Sequence, residues 1–224
     1  MRHRLKKTSI LLITLVVVVT GAACLFFRIR TGLSAIQVRK LEEGLYYMEY
    51  NGDYGFDRFL EQGGASSDWE VARFVGKDLF KGLVIPGFKT GKFGCSTLAA
   101  RNAKGGVIYG RNFDWMECTA MVVKSKPAQG YASVSTVNLD FLDLGEEYNP
   151  DKTLSKVISA ASLYAPMDGI NEKGLCVAVL MIDDPDVTKQ DTGKPGITTT
   201  TAVRLLLDKA ADVEEAVRLL GQYD

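Results

Sequence analysis

The longest apolar segment of the chain runs from Ile10 to Phe27 and follows Arg2, Arg4, Lys6 and Lys7. At 1.5 Å per helical residue such a run spans about 27 Å, close to the thickness of a bilayer's hydrocarbon core. The basic flank predicts a cytoplasmic N-terminus. Residues 1–30 therefore read as a cytoplasmic tail and a transmembrane signal anchor, with the rest of the chain outside the cytoplasm at the cell membrane. A cleaved signal peptide is one alternative. A lipoprotein site at Cys24, behind Gly21-Ala22-Ala23, is another, although Leu25-Phe26-Phe27 continue the apolar run past it.

Beyond the anchor the pattern shortens. Thr31 to Lys40 reads as a connector. Gly44 to Tyr50 and Phe56 to Leu60 flank Asn51-Gly52-Asp53-Tyr54-Gly55 and predict a hairpin. Its tyrosines Tyr46, Tyr47, Tyr50 and Tyr54 suit a half-buried strand better than a pocket lining. Ser67 and Glu70 form a capping box ahead of a helix whose core face is Val71, Phe74, Val75 and Leu79. Pro86-Gly87 breaks the chain. A second hairpin follows from Cys95 to Trp115, around Asn102-Ala103-Lys104-Gly105-Gly106.

Ala120 to Lys124 and Tyr131 to Phe141 read as strands around Pro127 to Gly130. Ser133 to Asn138 alternates too irregularly to assign a buried face. Glu146 to Lys152 is a polar loop. Gly174 to Ile182 is a continuous apolar strand, expected to be buried on both faces and to need neighbours at both edges. Asp183-Asp184-Pro185-Asp186 ends it as a solvated turn, with no EF-hand spacing for calcium. The last two elements are helices. One follows Thr198 to Thr201, with Val203, Leu206, Leu207 and Ala210 inward. The other is capped by Asp212 and Glu215, with Val213, Ala216, Val217 and Leu220 inward. Strands with segregated helices predict an α+β domain.

Composition narrows the chemistry. Lys+Arg and Asp+Glu balance at 27 each, and no basic patch interleaves with aromatics, which argues against nucleic acid as a partner. The only histidine is His3, in the basic tail. Without a second histidine or a Cys-x-x-Cys pair no metal site is expected. Cys118 and Cys176 are expected to be free thiols, although an extracytoplasmic location permits a disulfide.

The second hairpin carries the candidate chemistry. If Ala100 faces Gly106, antiparallel pairing puts Cys95 opposite Arg111, and a nearby guanidinium favours thiolate. Asp114 is expected to hold Arg111. Strict alternation sets these two on opposite faces, so the strand should end or bulge between them. No Cys–His dyad can form with His3 in the tail. The economical base is the α-amino group of Cys95 itself, freed by cleavage after Gly94; such a group titrates near pH 8. The competing reading is a structural cysteine beside a surface Arg–Asp pair.

Cys95-Ser96, Gly110-Arg111-Asn112-Phe113-Asp114 and Asp168-Gly169-Ile170-Asn171-Glu172-Lys173-Gly174-Leu175 together resemble the choloylglycine hydrolase and penicillin V acylase family, with acid ceramidase among its relatives. The resemblance covers Cys95 to Asp224. It implies the αββα four-layer sandwich of N-terminal-nucleophile hydrolases over residues 95–224, with residues 31–94 as a pro-segment or light chain. The implied reaction is hydrolysis of a linear amide carbon–nitrogen bond in a small N-acyl substrate, through a thioester on Cys95. No cofactor is implied. Arg111 and Asp114 would position and polarise the nucleophile. A backbone N–H ten residues past Asn171, at Met181, would help hold the oxyanion, although the family often has Asn or Tyr there. Asn171 itself reads as a turn former beside Gly174. Acyl transfer from the same thioester is the alternative within enzymes; a membrane-anchored protein that never frees Cys95 is the alternative outside them. Bile-salt conjugates, penicillin V, acyl-homoserine lactones and N-acyl lipids all suit the family. The resemblance also leads us to expect further strands beyond Asp224, with an asparagine and a second arginine for the site. A homo-oligomer that completes its sheet with a second copy is the alternative.

Overall fold

Tyr46, Met48 and Tyr50 alternate with more exposed residues along Leu45–Asn51 (β2), and this period-two stripe seeds the main sheet. In the computed structural model the described residues are 36–80, 94–115, 118–145, 148–182 and 190–224. The expected anchor over Ile10 to Phe27, the Pro86-Gly87 break and the acidic turn at Asp183 to Asp186 lie outside them. Among the described residues no helix is long and apolar enough to cross a membrane, and no cluster of His, Cys, Asp and Glu could hold a metal ion.

The partner of β2 is not the segment after it but the one before. Ile36–Glu42 (β1), expected to be a connector, pairs with β2 antiparallel through a tight turn at Gly44, whose φ is +71°. Phe56–Glu61, expected to be a strand, is a helix (α1). Its two buried rings, Phe56 and Phe59, lie three residues apart and stack at 5.6 Å. That spacing suits one face of a helix and would put them on opposite faces of a strand. A second helix, Asp68–Asp78 (α2), starts at the expected cap, with the Ser67 side chain accepting from the Glu70 N–H. Val71, Phe74 and Val75 are buried as expected; Leu79 is only half-buried.

The nucleophile hairpin is Gly94–Arg101 (β3) and Val107–Asp114 (β4), which form a separate two-stranded sheet. Ala120–Lys126 (β5), Ser133–Asn138 (β6), Asp168–Asn171 (β7) and Cys176–Ala178 (β8) join the first two strands in a sheet of order β1-β2-β5-β6-β7-β8. The β2–β5 pair is parallel and the rest are antiparallel. Between β6 and β7 lie a 3-10 turn (Leu139–Leu142), a short helix (Thr153–Ile158, α3) and a 3-10 helix (Ser159–Tyr164), none of them anticipated as helical.

One face of the sheet carries Tyr46, Met48, Tyr50, Met121, Val123, Ser133, Ser135 and Val137, all buried. The helices Thr199–Lys209 (α4) and Val213–Leu220 (α5) follow β8, and α4 lies on this face. The serines explain why the β6 pattern looked irregular. Arg204 of α4 is fully buried, and its two terminal nitrogens donate to Ser125 Oγ at 2.8 Å and Ser133 Oγ at 3.1 Å. Its charge is matched by Asp208, 3.6 Å from Nε, which also accepts from the Tyr54 hydroxyl. A buried guanidinium needs acceptors on the core face, so hydroxyls replace the aliphatic residues that alternation would demand.

Two apolar expectations fail. β8 has three residues and one neighbour, and Leu180 and Ile182 beyond it are 46% and 74% exposed. The run expected to be buried on both faces is an edge of the described sheet. On α5 only Ala216 is buried, against Leu175, Leu206 and Ala210, while Val213 and Val217 are 68% and 67% exposed. The helix docks through Ala216 and the half-buried Leu219, so Val213, Val217 and Leu220 stay outside. On α4 the expected core face, Val203, Leu206, Leu207 and Ala210, is buried throughout.

Candidate active site

The hairpin closes in a different register from the expected one. Asn102 Oδ1 accepts from the Lys104 and Gly106 N–H groups, both at 2.9 Å, and Asn102 N–H donates to the Gly106 carbonyl. The turn centre is therefore Lys104, one residue later than the expected Ala103. Every pairing moves by two residues: Arg111 lies opposite Thr97 and Cys95 opposite Phe113. A shift of two preserves the face. Cys95, Tyr109, Arg111 and Phe113 are the half-buried members of the hairpin, and the alternate residues are exposed.

The diagonal is short enough for an arginine. Arg111 Nη2 lies 3.2 Å from Cys95 Sγ. The same nitrogen donates to the Val179 carbonyl at 3.1 Å, and Nη1 pairs with Asp168 Oδ2 at 3.2 Å. The Arg111 and Asp168 side chains are 7% and 13% exposed, so water screens the pair little. The guanidinium carbon sits 4.6 Å from the Phe113 ring centroid. Phe113 in turn stacks on Trp115 and meets Phe141 edge-on, which fixes the ring under the cation.

The expected Arg111–Asp114 pair does not form. Pairing continues without a bulge to Gly94 opposite Asp114, so Asp114 falls on the face away from the thiol. It accepts from Asn112 Nδ2 at 2.6 Å. A Cβ on Gly94 would lie 3.3 Å from both the Asp114 Cβ and Oδ2. Asp114 thus stands at the residue whose bond to Cys95 is the expected cleavage point, while the partner of Arg111 is Asp168. The only sequence signal for Asp168 was its place at the head of the Asp168–Leu175 motif.

β7 brings Asp168 to the site because its neighbour Gly169 faces α4. A Cβ on Gly169 would lie 2.8 Å from Leu207 Cδ1 and 2.7 Å from the Val134 carbonyl. With Gly169 against the helix, Asp168 faces the hairpin. Asn171 ends β7 as the expected turn former. Its Oδ1 accepts from the Lys173 and Leu175 N–H groups, and its Nδ2 donates to the Leu207 and Ala210 carbonyls. Gly174, at φ +89°, completes that turn. Met181 lies two residues past Val179, on the segment that leaves β8.

Three cysteines are free among the described residues: Cys95, Cys118 and Cys176. Burial, aided by the Asp140 carboxylate, pushes the Cys118 thiol up, and burial pushes up Cys176. Burial, with the charges of Asp168 and Cys176, also raises the Tyr109 hydroxyl, which remains a neutral phenol beside the site. The described residues contain no histidine. The cluster offers a sulfur, a cation touching it, a carboxylate behind that cation and a second carboxylate beside the preceding residue.

The family model for linear amide C-N hydrolases, choloylglycine hydrolase family, matches residues 95–224, beginning at Cys95 itself. No curated protein and no solved structure matches the chain.

Proposed function

The chain belongs to the choloylglycine hydrolase family of linear amide C-N hydrolases, and from that footing we propose that Cys95 is its nucleophile after cleavage of the Gly94–Cys95 bond. The observation that carries this reading is the 3.2 Å contact between Arg111 Nη2 and Cys95 Sγ. A guanidinium donating to sulfur stabilises thiolate and disfavours the inert thiol. In the intact chain the Cys95 nitrogen is an amide and cannot act as base. Cleavage converts it to an amine that can take the thiol proton.

The sulfur then attacks the carbonyl carbon of an N-acyl substrate. The carbon–nitrogen bond breaks as the Cys95 ammonium returns the proton to the leaving amine. Water, deprotonated by the same amine, hydrolyses the thioester and releases the acid. The Met181 backbone N–H supplies an oxyanion donor; a backbone group serves there whatever the side chain. Asp114, beside Gly94, orients the new amine. On this reading the helices and six-stranded sheet are the first two layers of an αββα sandwich, and the β3–β4 hairpin begins the third. The basic flank and apolar run of residues 1–30 anchor the enzyme with its catalytic domain outside the cytoplasm.

The test is a panel of N-acyl amides read by amine release, run with the wild type and Cys95→Ala. Release from at least one member by the wild type alone supports the reading. Equal release by Cys95→Ala, or by a chain shown to be intact between Gly94 and Cys95, overturns it. An impermeant lysine label on intact cells should reach the catalytic domain; labelling only after lysis overturns the topology.

A further inference from the structure

We propose that Asp168 is a positioning residue for the nucleophile: with Thr136 behind it, it holds the Arg111 guanidinium in the orientation that meets Cys95 Sγ. The proposal rests on the reading of Cys95 as nucleophile.

The guanidinium is planar, so two fixed points and a support define its orientation. One point is Nη1, paired with Asp168 Oδ2 at 3.2 Å. The other is Nη2, one of whose hydrogens goes to the Val179 carbonyl at 3.1 Å. The Phe113 ring supports the plane at 4.6 Å. What remains on Nη2 is the second hydrogen, and Cys95 Sγ lies 3.2 Å away. Nε has no hydrogen-bond partner and is buried, so it adds no anchor. The Val179 contact alone is one hydrogen bond about which the plane can turn.

Asp168 is itself held. Thr136 Oγ1 donates to its other oxygen, Oδ1, at 2.5 Å. The two residues are directly opposed across β6 and β7, so they share a face and the hydroxyl is delivered by the sheet's own register. The chain of contacts is Thr136, Asp168, Arg111, Cys95. It runs from the centre of the six-stranded sheet to the hairpin, two parts of the fold that share no strand pairing.

A positioning role and a charge role give opposite signs. If Asp168 acted only as a negative charge, its removal would leave the full cation at the sulfur and speed thiolate chemistry. If it aims the cation, removal lets the plane turn away and slows that chemistry.

The experiment measures iodoacetamide alkylation of Cys95 in the full chain at neutral pH, read by peptide mass spectrometry, with melting recorded for each variant. Asp168→Asn should slow Cys95 alkylation by about fivefold or more. Thr136→Val should slow it less, and Thr136→Ser should restore it. In an Arg111→Ala background Asp168→Asn should add nothing, because the residue acts through Arg111. Should Asp168→Asn fail to fold, Thr136→Val and Thr136→Ser carry the test alone. Unchanged or faster alkylation overturns the proposal, as does a slowing that persists without Arg111. Alkylation needs no turnover: a chain with these rates and no amide cleavage would refute the hydrolase reading and leave this one standing.

Discussion

Arg111 reaches Cys95 from a diagonal position: it is paired with Thr97, two residues along from the cysteine, yet its Nη2 lies 3.2 Å from Sγ. A directly opposed pair would bring the Cβ atoms closer than an extended arginine needs. The diagonal uses the length of the side chain, and its far end is tied to Asp168 on the other sheet and to Val179, one residue past β8. Arg111→Ala should therefore slow Cys95 alkylation at neutral pH by about tenfold. Arg111→Lys should recover only part, since one ammonium cannot serve sulfur, carbonyl and carboxylate at once. Equal rates in all three proteins would show that the contact does not govern the thiol.

Processing is the second expectation. Mass spectrometry of active protein should find a fragment beginning at Cys95. Cys95→Ala should lose both cleavage and turnover, and Cys118→Ala should keep most of each. Gly94→Ala places a methyl 3.3 Å from the Asp114 carboxylate, so it should slow processing with little effect on melting.

After cleavage the two pieces should stay together. Leu45–Asn51 pairs with Ala120–Lys126 over seven positions, and Tyr54, Phe56 and Phe59 pack on Tyr164. Each buried aromatic contributes roughly 1.5–3 kcal/mol. The fragments should co-elute in native size exclusion and separate only in denaturant. Separation in native buffer would show that residues 36–80 are not part of the working core.

The thiols should differ with pH. Burial, with the Asp140 carboxylate, raises Cys118, and burial raises Cys176, so at neutral pH each carries less thiolate than an ordinary cysteine. Limiting iodoacetamide at about pH 7 should label Cys95 first. As pH climbs towards the raised values, thiolate appears at Cys118 and Cys176 and the selectivity narrows. Equal labelling of all three at neutral pH would contradict the raised thiols and the Arg111 contact together.

Arg204 provides a stability test away from the site. Arg204→Ala leaves Ser125, Ser133 and Asp208 buried without their cation. The expected cost is about 3–5 kcal/mol, read as a lowered denaturant midpoint. A loss under about 1 kcal/mol would mean that water reaches the cluster.

Local chemistry was legible from the residues alone wherever one residue type has few alternatives. Ser67 and Asp212 cap their helices as expected, since their side-chain oxygens have an orphan N–H three residues on. Asn102 to Gly106 turns the hairpin, and Asn171 with Gly174 turns the next connection. The lack of a histidine beyond His3 removed a Cys–His dyad before any geometry was known. Tertiary structure decided what depends on partners distant in sequence. Gly44 set β2 against β1, and so freed Phe56 to begin a helix. Buried Arg204 put Ser133 on the core face of β6, where an aliphatic residue would have shown its period. Parity along an unbroken β4 sent Asp114 to one face and Arg111 to the other, and Asp168, 57 positions after Arg111 in the chain, took the place expected of Asp114. Capping and turns are contests among neighbouring atoms, which local residues settle. The partner of a buried charge is chosen by sheet register and helix packing, which no short stretch of sequence contains.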